Sequence, residues 1–435
     1  MAACVGGIIG LGILRTPGEI AKFVSDPWLF LGWWLGGGVF VLLSLLFIGE
    51  LMSMTSKSGG VYALISRAYG RFPSFVIGWI DWVALSATVA LKAVVAAEYI
   101  VMLVPSLAPY LTAIALMITT AFAALQLVGT KASASIQEAA SAGIGLVIVM
   151  LAGALFYGAF AGSAPNAAAA TGESVALIGV AAYGLIAASI IFTYDGWLIA
   201  SYFSGEVKSG GRGVVKGSIQ GLLVVVLLYM LLNIALVSSV PLNSIAGSDL
   251  ALATALDLLF GKSVETVLVV AAIFILLVHQ NLNYMTMSRV IYALSHDGLG
   301  SKKATVVADN GAPMGGVILS WALTCLLIVI GSFEFLLNLT VSLFTIMYVA
   351  LALGVFYLRR IEPAAERPFV AWGYPYTGLV CVVGWTGMAT LVSIGSLSST
   401  LFGGVAIIAA IPVYLLLRKW RHLDEPPLAN VQETI

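Results

Sequence analysis

Charged side chains are scarce in this sequence: only 9% of its 435 residues are Asp, Glu, Lys or Arg. Soluble domains carry about 25%, so a chain exposed to water over its whole surface is excluded. Twenty basic residues balance twenty acidic ones, and this balance lacks the basic excess of nucleic-acid-binding proteins. What is abundant is apolar, because 61% of the residues are hydrophobic. We therefore predict an integral membrane protein that contacts lipid and no nucleic acid.

Histidine and cysteine are also rare, with three residues of each. The cysteines lie singly in apolar runs, without the spacing of a metal site or a disulfide framework, and are interpreted as small buried hydrophobic residues. No nucleophile is spaced with a base for catalysis, and the lone His279 does not form a zinc site. These absences argue against an enzyme, so we expect no catalytic residue, no metal and no cofactor.

Long apolar runs follow one another, separated by short polar breaks. Each run is long enough to cross a hydrocarbon core of ~30 Å as a helix, and the backbone inside lipid must satisfy its own hydrogen bonds. The predicted fold class is therefore all-α, with about twelve transmembrane helices. The predicted spans are 1–24, 28–55, 73–104, 109–128, 137–160, 177–204, 214–238, 264–294, 314–332, 336–358, 374–395 and 401–417.

Basic residues cluster in alternate loops of this pattern. Most of the twenty follow the even-numbered spans, whereas the 161–175 and 395–400 loops hold none. The positive-inside rule predicts a multi-pass protein of the cell (inner) membrane with both termini in the cytoplasm. The polar tail 422–435 is expected to be disordered. The basic residues of these loops are Lys57, Arg67, Arg71, Lys131, Lys208, Arg212, Lys216, Arg289, Lys302, Lys303, Arg359, Arg360, Arg367, Arg418, Lys419 and Arg421.

One loop of the opposite side is long enough to hold a helix of its own. Within 241–262, the sequence SDLALATALDLLFG spaces apolar residues as one face of an amphipathic helix. Such a helix would lie over the outer face, either as a lid or as a passive connector. The residues of the predicted apolar face are Leu252, Leu256, Leu259 and Phe260.

Two spans are interrupted where a helix should be continuous. The first reads GIIGLGILRTPG, with Gly10 and Gly12 in its middle, and the sixth reads FTYDGW, with Asp195 and Gly196 in its middle. Glycine weakens a helix by roughly 0.5–1 kcal/mol relative to alanine, and a charge at mid-membrane costs about 2.5–3.5 kcal/mol. Broken spans at corresponding positions of two successive five-helix sets indicate an inverted-repeat transporter.

Unwinding at these positions creates binding groups from the backbone itself. The N–H groups at a half-helix N-terminus attract a carboxylate, and freed carbonyl oxygens can hold an ammonium group or a cation. The alternative is close packing of helices through small residues. We favour packing for Gly7, and a binding site for Gly10 and Gly12.

Four groups of motifs resemble those of the amino acid–polyamine–organocation (APC) transporters. They occur in the family's order over nearly the whole chain, which looks most like the L-type branch for neutral amino acids. The motifs are IIGLGIL (Ile8–Leu14), GELMSMTSKSGGVYALISRAYG (Gly49–Gly70), FTYDGW with GEVKSGGR (Phe192–Trp197 and Gly205–Arg212), and SRVIYALSHDG with NGAP (Ser288–Gly298 and Asn310–Pro313).

The resemblance implies secondary transport of amino acids by alternating access, as a permease or an antiporter. It also implies the LeuT-like fold, a five-plus-five inverted repeat with broken helices 1 and 6. The corresponding division is a first repeat at 1–160, a second repeat at 177–358, two added helices at 374–417 and a cytoplasmic tail at 418–435.

The same resemblance implies which groups bind the substrate. The α-carboxylate would meet backbone N–H groups in the first break and the α-amine would meet carbonyl groups of both breaks, while the side chain would point toward helices 3, 6, 8 and 10. The implied substrate-binding residues are Ile8, Ile9, Gly10, Leu11, Gly12, Phe192, Thr193, Tyr194, Asp195 and Gly196.

Lys92 is the most unusual charge in the sequence, because it lies near the centre of the third span. It shares a helix face with Asp81 and Thr88, yet Asp81 is about 16 Å away along the axis, too far for a direct pair. Many transporters of the family have a lysine about seven residues after a glutamine like Gln137, where this chain has Ile144. Our hypothesis is that Lys92 supplies the missing cation, facing Asp195 or a carbonyl of helix 1; the alternative is a structural salt bridge.

Other polar residues in the spans also have two interpretations each. Asp195 either braces the unwound turn or binds the substrate, and Arg15 either attracts carboxylates or extends to the outer interface. Glu50 either braces a cytoplasmic gate or forms a passive ion pair, and His279 either takes part in coupling or makes an interhelical hydrogen bond. The coupling candidates are Lys92, Asp195 and His279, and the gate candidate is Glu50.

Three classes of function are compared. A transporter of neutral L-amino acids fits best, driven by proton or sodium coupling or by exchange. An exchanger of cationic amino acids or polyamines would need several carboxylates in its cavity, and Asp195 is the single obvious one. A membrane enzyme or sensor would need clustered catalytic residues or a soluble domain. The sequence carries no signal for a partner subunit.

Overall fold

The computed structural model describes residues 1–55, 57–128, 130–161, 179–207, 210–261, 263–307, 313–395 and 397–421. The predictions for the 161–175 loop, the NGAP motif and the 422–435 tail fall wholly or mostly outside these ranges, as do Lys208 and the side chain of Lys131. Four short 3₁₀ helices accompany the α-helices, at Pro105–Tyr110, Ile199–Glu206, Leu242–Ser244 and Lys302–Thr305. The α-helices are α1 (Ala2–Ile8), α2 (Leu11–Ala21), α3 (Pro27–Ser53), α4 (Gly60–Tyr69), α5 (Arg71–Leu103), α6 (Leu111–Val128), α7 (Thr130–Phe160), α8 (Val180–Tyr194), α9 (Gly210–Ser239), α10 (Ala251–Phe260), α11 (Ser263–His296), α12 (Met314–Ile330), α13 (Phe333–Ile361), α14 (Tyr376–Gly395) and α15 (Leu397–Arg421).

The predicted all-α membrane fold is confirmed. Within the ranges above, ten helical stretches are long and apolar enough to cross a membrane. The shorter α12 and the pair α1 and α2 account for the ninth and first predicted spans. All twelve predicted spans therefore have helical counterparts, and α4 and α10 are connecting helices between them. The division into repeats at 1–160 and 177–358 stays a prediction.

The two connecting helices lie at opposite ends of the bundle. We call the end with the basic loops, which carries α4, the basic end, and the end that carries α10 the lid end. The sequence analysis treated α4 as part of a polar loop, although this helix buries Val61, Leu64 and Ile65. The lid end carries α10, whose residues Leu252, Leu256 and Leu259 are buried as predicted. Phe260 is 39% exposed and its ring lies 6.3 Å from that of Tyr157. Phe260 thus packs at the end of α10 against α7 while remaining partly exposed.

Both predicted breaks are confirmed, and they lie against each other. In the first, Ile9 is extended after α1 and Gly10 precedes α2. In the second, Asp195 is extended and Gly196 has φ 104°, a conformation that favours glycine. A Cβ on Gly196 would lie 2.4 Å from the carbonyl oxygen of Gly7. The two unwound segments therefore approach at backbone distance.

Two long helices pack against each other beside these breaks. α5 has 33 residues and α11 has 34, and each passes through the bundle from one end to the other. They run antiparallel, because α5 begins at the basic end, whereas α11 ends there, where the Tyr62 hydroxyl donates to Asp297 at 2.8 Å. The polar residues of α5, including Asp81 and Lys92, are buried within protein instead of facing lipid.

Candidate functional site

A cavity of about 40 Å³ lies where the two breaks meet α5, α11 and α13. One water molecule needs about 10–15 Å³ of such space. The cavity therefore has room for a few waters and must widen to admit an amino acid. Six of the predicted substrate-binding residues line it. Its lining residues are Gly7, Ile8, Gly10, Gly12, Leu85, Thr88, Lys92, Phe192, Asp195, Gly196, Leu198, Ile199, Tyr202, His279, Asn283, Phe344, Met347 and Tyr348.

The remaining predicted substrate-binding residues lie behind this wall. Ile9 is fully buried, and Leu11 begins α2 with its backbone. The Thr193 hydroxyl lies 2.7 Å from that of Thr16, and the Tyr194 hydroxyl donates to the Trp34 carbonyl at 3.0 Å. These contacts hold the broken segments in place.

Tyr229 on α9 connects the two breaks, and sequence reasoning missed it. Its hydroxyl lies 3.0 Å from the Ile8 carbonyl oxygen and 3.3 Å from that of Thr193. Unpaired carbonyl groups are costly when buried, so this hydroxyl stabilises both unwound ends. The signal for it was slight: a single tyrosine in the apolar run VVVLLYMLL.

His279 on α11 fills the first break. Its Nε2 lies 3.0 Å from the Gly7 carbonyl oxygen, which confirms the predicted interhelical hydrogen bond. The ring occupies space that any side chain at position 10 would need, because a Cβ on Gly10 would lie 2.2 Å from Cε1 of His279. Position 10 must therefore be glycine, because the His279 ring occupies the space of any larger side chain there.

Asp195 both braces its own turn and faces the cavity. One of its carboxylate oxygens accepts a hydrogen bond from the hydroxyl of Tyr348 on α13, and the backbone of Gly196 also donates to it. Tyr348 was not foreseen, because its distance to Asp195 depends on how α13 packs against the sixth span. The carboxylate is therefore held in a fixed position at the cavity wall.

Lys92 lies on the opposite wall and is 7% exposed. In the described part of the chain its amine has no ion pair within 4.0 Å and no hydrogen bond, so the predicted alternative of a structural salt bridge is not formed there. It lines the same cavity as Asp195 and His279. Ile144, where the resemblance would place a lysine, is fully buried on α7. Lys92 is thus a cation facing the cavity without a direct counter-ion.

Comparison with known proteins identifies the family of this chain. The profile of the family described as amino acid permease matches residues 1–417. The chain belongs to the amino acid permease family. The family resemblance stated from the motifs is therefore confirmed, and the protein is a transporter and not an enzyme.

Several relatives cover most of the permease. It is 24% identical over 430 residues to the serine/threonine exchanger SteT of Bacillus subtilis, covering 95% of this chain and 94% of the relative. It is 24% identical over 377 residues to the b(0,+)-type amino acid transporter 1 of Mus musculus, covering 84% and 75%. It is 23% identical over 437 residues to the large neutral amino acids transporter small subunit 2 of Rattus norvegicus, covering 97% and 80%. The permease is accordingly an amino acid transporter.

Tyr202 of the permease closes the cavity toward the basic end. Its hydroxyl donates to Oδ1 of Asp81 at 2.7 Å, and its ring lies against Gly60 at the start of α4, where an added Cβ would be 2.1 Å away. The Oδ2 atom of Asp81 is buried without a partner among the residues described. Asp81 is therefore separated from the cavity by the tyrosine that it holds.

Glu50 anchors a buried ion cluster at the basic end. It is 2% exposed, and its carboxylate accepts hydrogen bonds at 2.9 Å from Nε of Arg359, 2.9 Å from Nε of Arg367 and 2.8 Å from the Ala371 amide. The predicted ion pairing of Glu50 is confirmed, and its partners are two arginines. Its role as a gate stays a prediction.

Replacing Glu50 with glutamine is expected to destabilise the permease by about 3–5 kcal/mol, because two arginines lose their buried counter-ion. A matched control is Glu362→Gln, since Glu362 pairs with Arg67 where the two side chains are 34% and 43% exposed; exposed pairs contribute about 0–1 kcal/mol. Thermal unfolding in detergent measures both. Equal shifts of the midpoint in the two variants would contradict a structural role for the Glu50 cluster.

Arg15 belongs to an ion network at the lid end. Its guanidinium pairs with Asp249 at 2.6 Å and Glu98 at 3.5 Å, and lies 3.7 Å from the ring centre of Phe333. The side chain is 13% exposed, and acidic groups of α2, α5 and the segment before α10 lie around it. Its extension to the outer interface stays a prediction.

Proposed function

We propose that this permease carries neutral L-amino acids by alternating access, with the α-amino and α-carboxylate groups held at the two breaks. The observation that carries the proposal is the charge balance of the cavity. One cation, Lys92, and one anion, Asp195, face each other across a space lined otherwise by neutral groups. A zwitterion leaves this balance unchanged, whereas a substrate with an additional charge disturbs it.

The backbone groups of the first break support a carboxylate site. Among the residues described, no side chain caps the N-terminus of α2, so its first N–H groups are available to an anion. The carbonyl oxygens of Gly7 and Ile8 each accept one hydrogen bond, from His279 and Tyr229. Each oxygen has a second lone pair for an ammonium group. We assign the α-carboxylate to Gly10, Leu11 and Gly12, and the α-amine to the carbonyl groups of both breaks.

Cationic amino acids and polyamines are the alternative substrates, and the cavity argues against them. They need several carboxylates, and Asp195 is the single acidic residue among those that line the cavity in the described part. Asp81, the nearest candidate for a second, lies behind Tyr202. Lys92 would in addition repel a second cation.

The coupling group in this proposal is Lys92, with Asp195 and His279 facing it. A lysine that lacks a direct counter-ion can release its proton when its surroundings change. Movement of the first span would alter the distance from Lys92 to the break and to Asp195. Proton coupling is therefore the form we favour over sodium coupling.

The two ion clusters are the proposed gates of alternating access. The Glu50 cluster closes the basic end and the Arg15 network closes the lid end, and the breaks between them allow half-helices to move separately. By the positive-inside rule, the basic end is the cytoplasmic one in the cell membrane. The repeats 1–160 and 177–358 would each contribute one broken helix.

Uptake into proteoliposomes tests the proposed function. Labelled alanine, serine, leucine and arginine are each offered with and without internal amino acid, at acidic and neutral pH, with and without sodium. We expect uptake of neutral amino acids and none of arginine. Dependence on internal substrate would identify an exchanger, and acceleration by an inward proton gradient would identify a symporter. Uptake of arginine alone would overturn the proposal.

A further inference from the structure

Four polar side chains line the cavity in two levels. Thr88 and Lys92 are one helical turn apart on α5, and His279 and Asn283 are one turn apart on α11; all four line the cavity. The two helices run antiparallel and the Ser86 hydroxyl of α5 lies 4.0 Å from the Met287 sulfur of α11, so Lys92 lies at the level of His279 and Thr88 at the level of Asn283. The level of Thr88 and Asn283 is the one nearer the basic end.

The Asn283 amide has hydrogen-bonding capacity that the protein does not use. The residue is 5% exposed, and within the described ranges neither atom of its amide has a hydrogen-bond partner, with Nδ2 fully buried. Buried amides are nearly always paired, and each exception calls for an explanation. Because Asn283 lines the cavity, a ligand that widens the cavity is a partner that can complete this amide.

Thr88 offers complementary capacity on the facing helix. Its hydroxyl proton goes to the Ala84 carbonyl at 2.9 Å, so its oxygen retains lone pairs that can accept. Leu85, Phe344 and Met347 are apolar members of the same lining. The level of Thr88 and Asn283 therefore presents one amide donor and two acceptor oxygens beside apolar side chains.

We infer that Thr88 and Asn283 form the subsite for the substrate side chain and select short amino acids that carry a hydroxyl or a carboxamide, namely serine, threonine and asparagine. The inference rests on the proposed function, since it takes the amino acid backbone to be held at the breaks. A hydroxyl or a carboxamide both donates and accepts, which matches the groups on this wall.

Apolar side chains of the same shape should be rejected because they cannot form hydrogen bonds with this subsite. Valine has the shape of threonine but would leave the Asn283 amide unpaired in the occupied site, and sites built to bond a polar group discriminate strongly against analogues that lack it. Threonine and valine have nearly the same size, so a difference in their transport measures the hydrogen bonding of the subsite.

The test is the ratio of kcat/KM for threonine to that for valine in proteoliposomes. We expect threonine to be favoured by at least about tenfold, the value of one such hydrogen bond. In Asn283→Leu, which keeps the shape of the side chain, the ratio should fall about tenfold through loss of threonine uptake, with valine uptake kept or raised. Thr88→Val is the second variant, expected to lower the ratio less, and it tests the subsite if Asn283→Leu does not fold.

The possible results of this test distinguish failure of the subsite from failure of neutral amino acid transport itself. Equal use of threonine and valine by the unmodified permease would overturn the inference while leaving neutral amino acid transport in place. A threonine preference that survives both substitutions would overturn the assignment to these two residues. Absence of uptake for every amino acid would overturn the proposed function, and the inference with it.

Discussion

Replacing Gly10 with alanine is expected to abolish amino acid uptake in a protein that still folds. The added methyl group would lie 2.2 Å from Cε1 and 2.3 Å from Nδ1 of His279, so the ring must leave the break and release the Gly7 carbonyl. Overpacking of this kind costs about 1–3 kcal/mol, which a large membrane protein survives. The geometry of the first break, however, would be lost. Uptake in proteoliposomes and the elution profile of the purified protein measure the two effects.

Gly36→Ala provides the matched control for this substitution. Gly36 also lies within a membrane-spanning helix, α3, and an alanine Cβ there would meet nothing within 4 Å. We expect uptake close to that of the unmodified protein. If Gly10→Ala transports as well as Gly36→Ala, the first break does not take part in binding.

Replacing Lys92 with methionine is expected to lower uptake by roughly 5–150-fold, the range of typical coupling free energies, and to remove its acceleration by a proton gradient. Methionine keeps the length and the apolar stem of the side chain but removes the cation that faces Asp195. The anion is then left without a facing positive charge in a buried site. Uptake with and without an inward proton gradient gives both readouts.

Two comparisons make this result specific. Lys92→Arg retains the charge but cannot release its proton, so it should retain part of the substrate affinity and lose the proton dependence. Asp195→Asn should lower uptake by a different route, because Tyr348 loses its anionic acceptor. Unchanged uptake and unchanged pH dependence in Lys92→Met would refute the coupling role of this lysine.

The elements that the sequence predicted are those set by local physics. Apolar runs of sufficient length predicted the spans, because only helices satisfy the backbone in lipid. Glycines and a carboxylate in mid-span predicted the breaks at Gly10 and Gly196, since both act on the backbone where they stand. The α4 helix was missed because its ten residues are too short to cross a membrane and lie between glycines and basic residues.

Contacts across helices could not be predicted in the same way. Tyr229 and Tyr348 lie far along the chain from the breaks that they brace, and only the packing of α9 and α13 brings them there. The partners of Arg15 could not be predicted for a related reason. Its partner Asp249 belongs to the segment before α10, and a single sequence does not tell where that segment lies.

The lengths of α5 and α11 have a consequence for the membrane around the permease. At 1.5 Å per residue, their 33 and 34 residues make rods of about 50 Å, well beyond a hydrocarbon core of ~30 Å. Helices of such length tilt or extend past the core, and the accommodation varies with bilayer thickness. Because the same two helices carry Thr88, Lys92, His279 and Asn283, a thinner or thicker bilayer would change the tilt of both cavity walls together. The length of the lipid chains would thereby affect how the permease recognises its substrate.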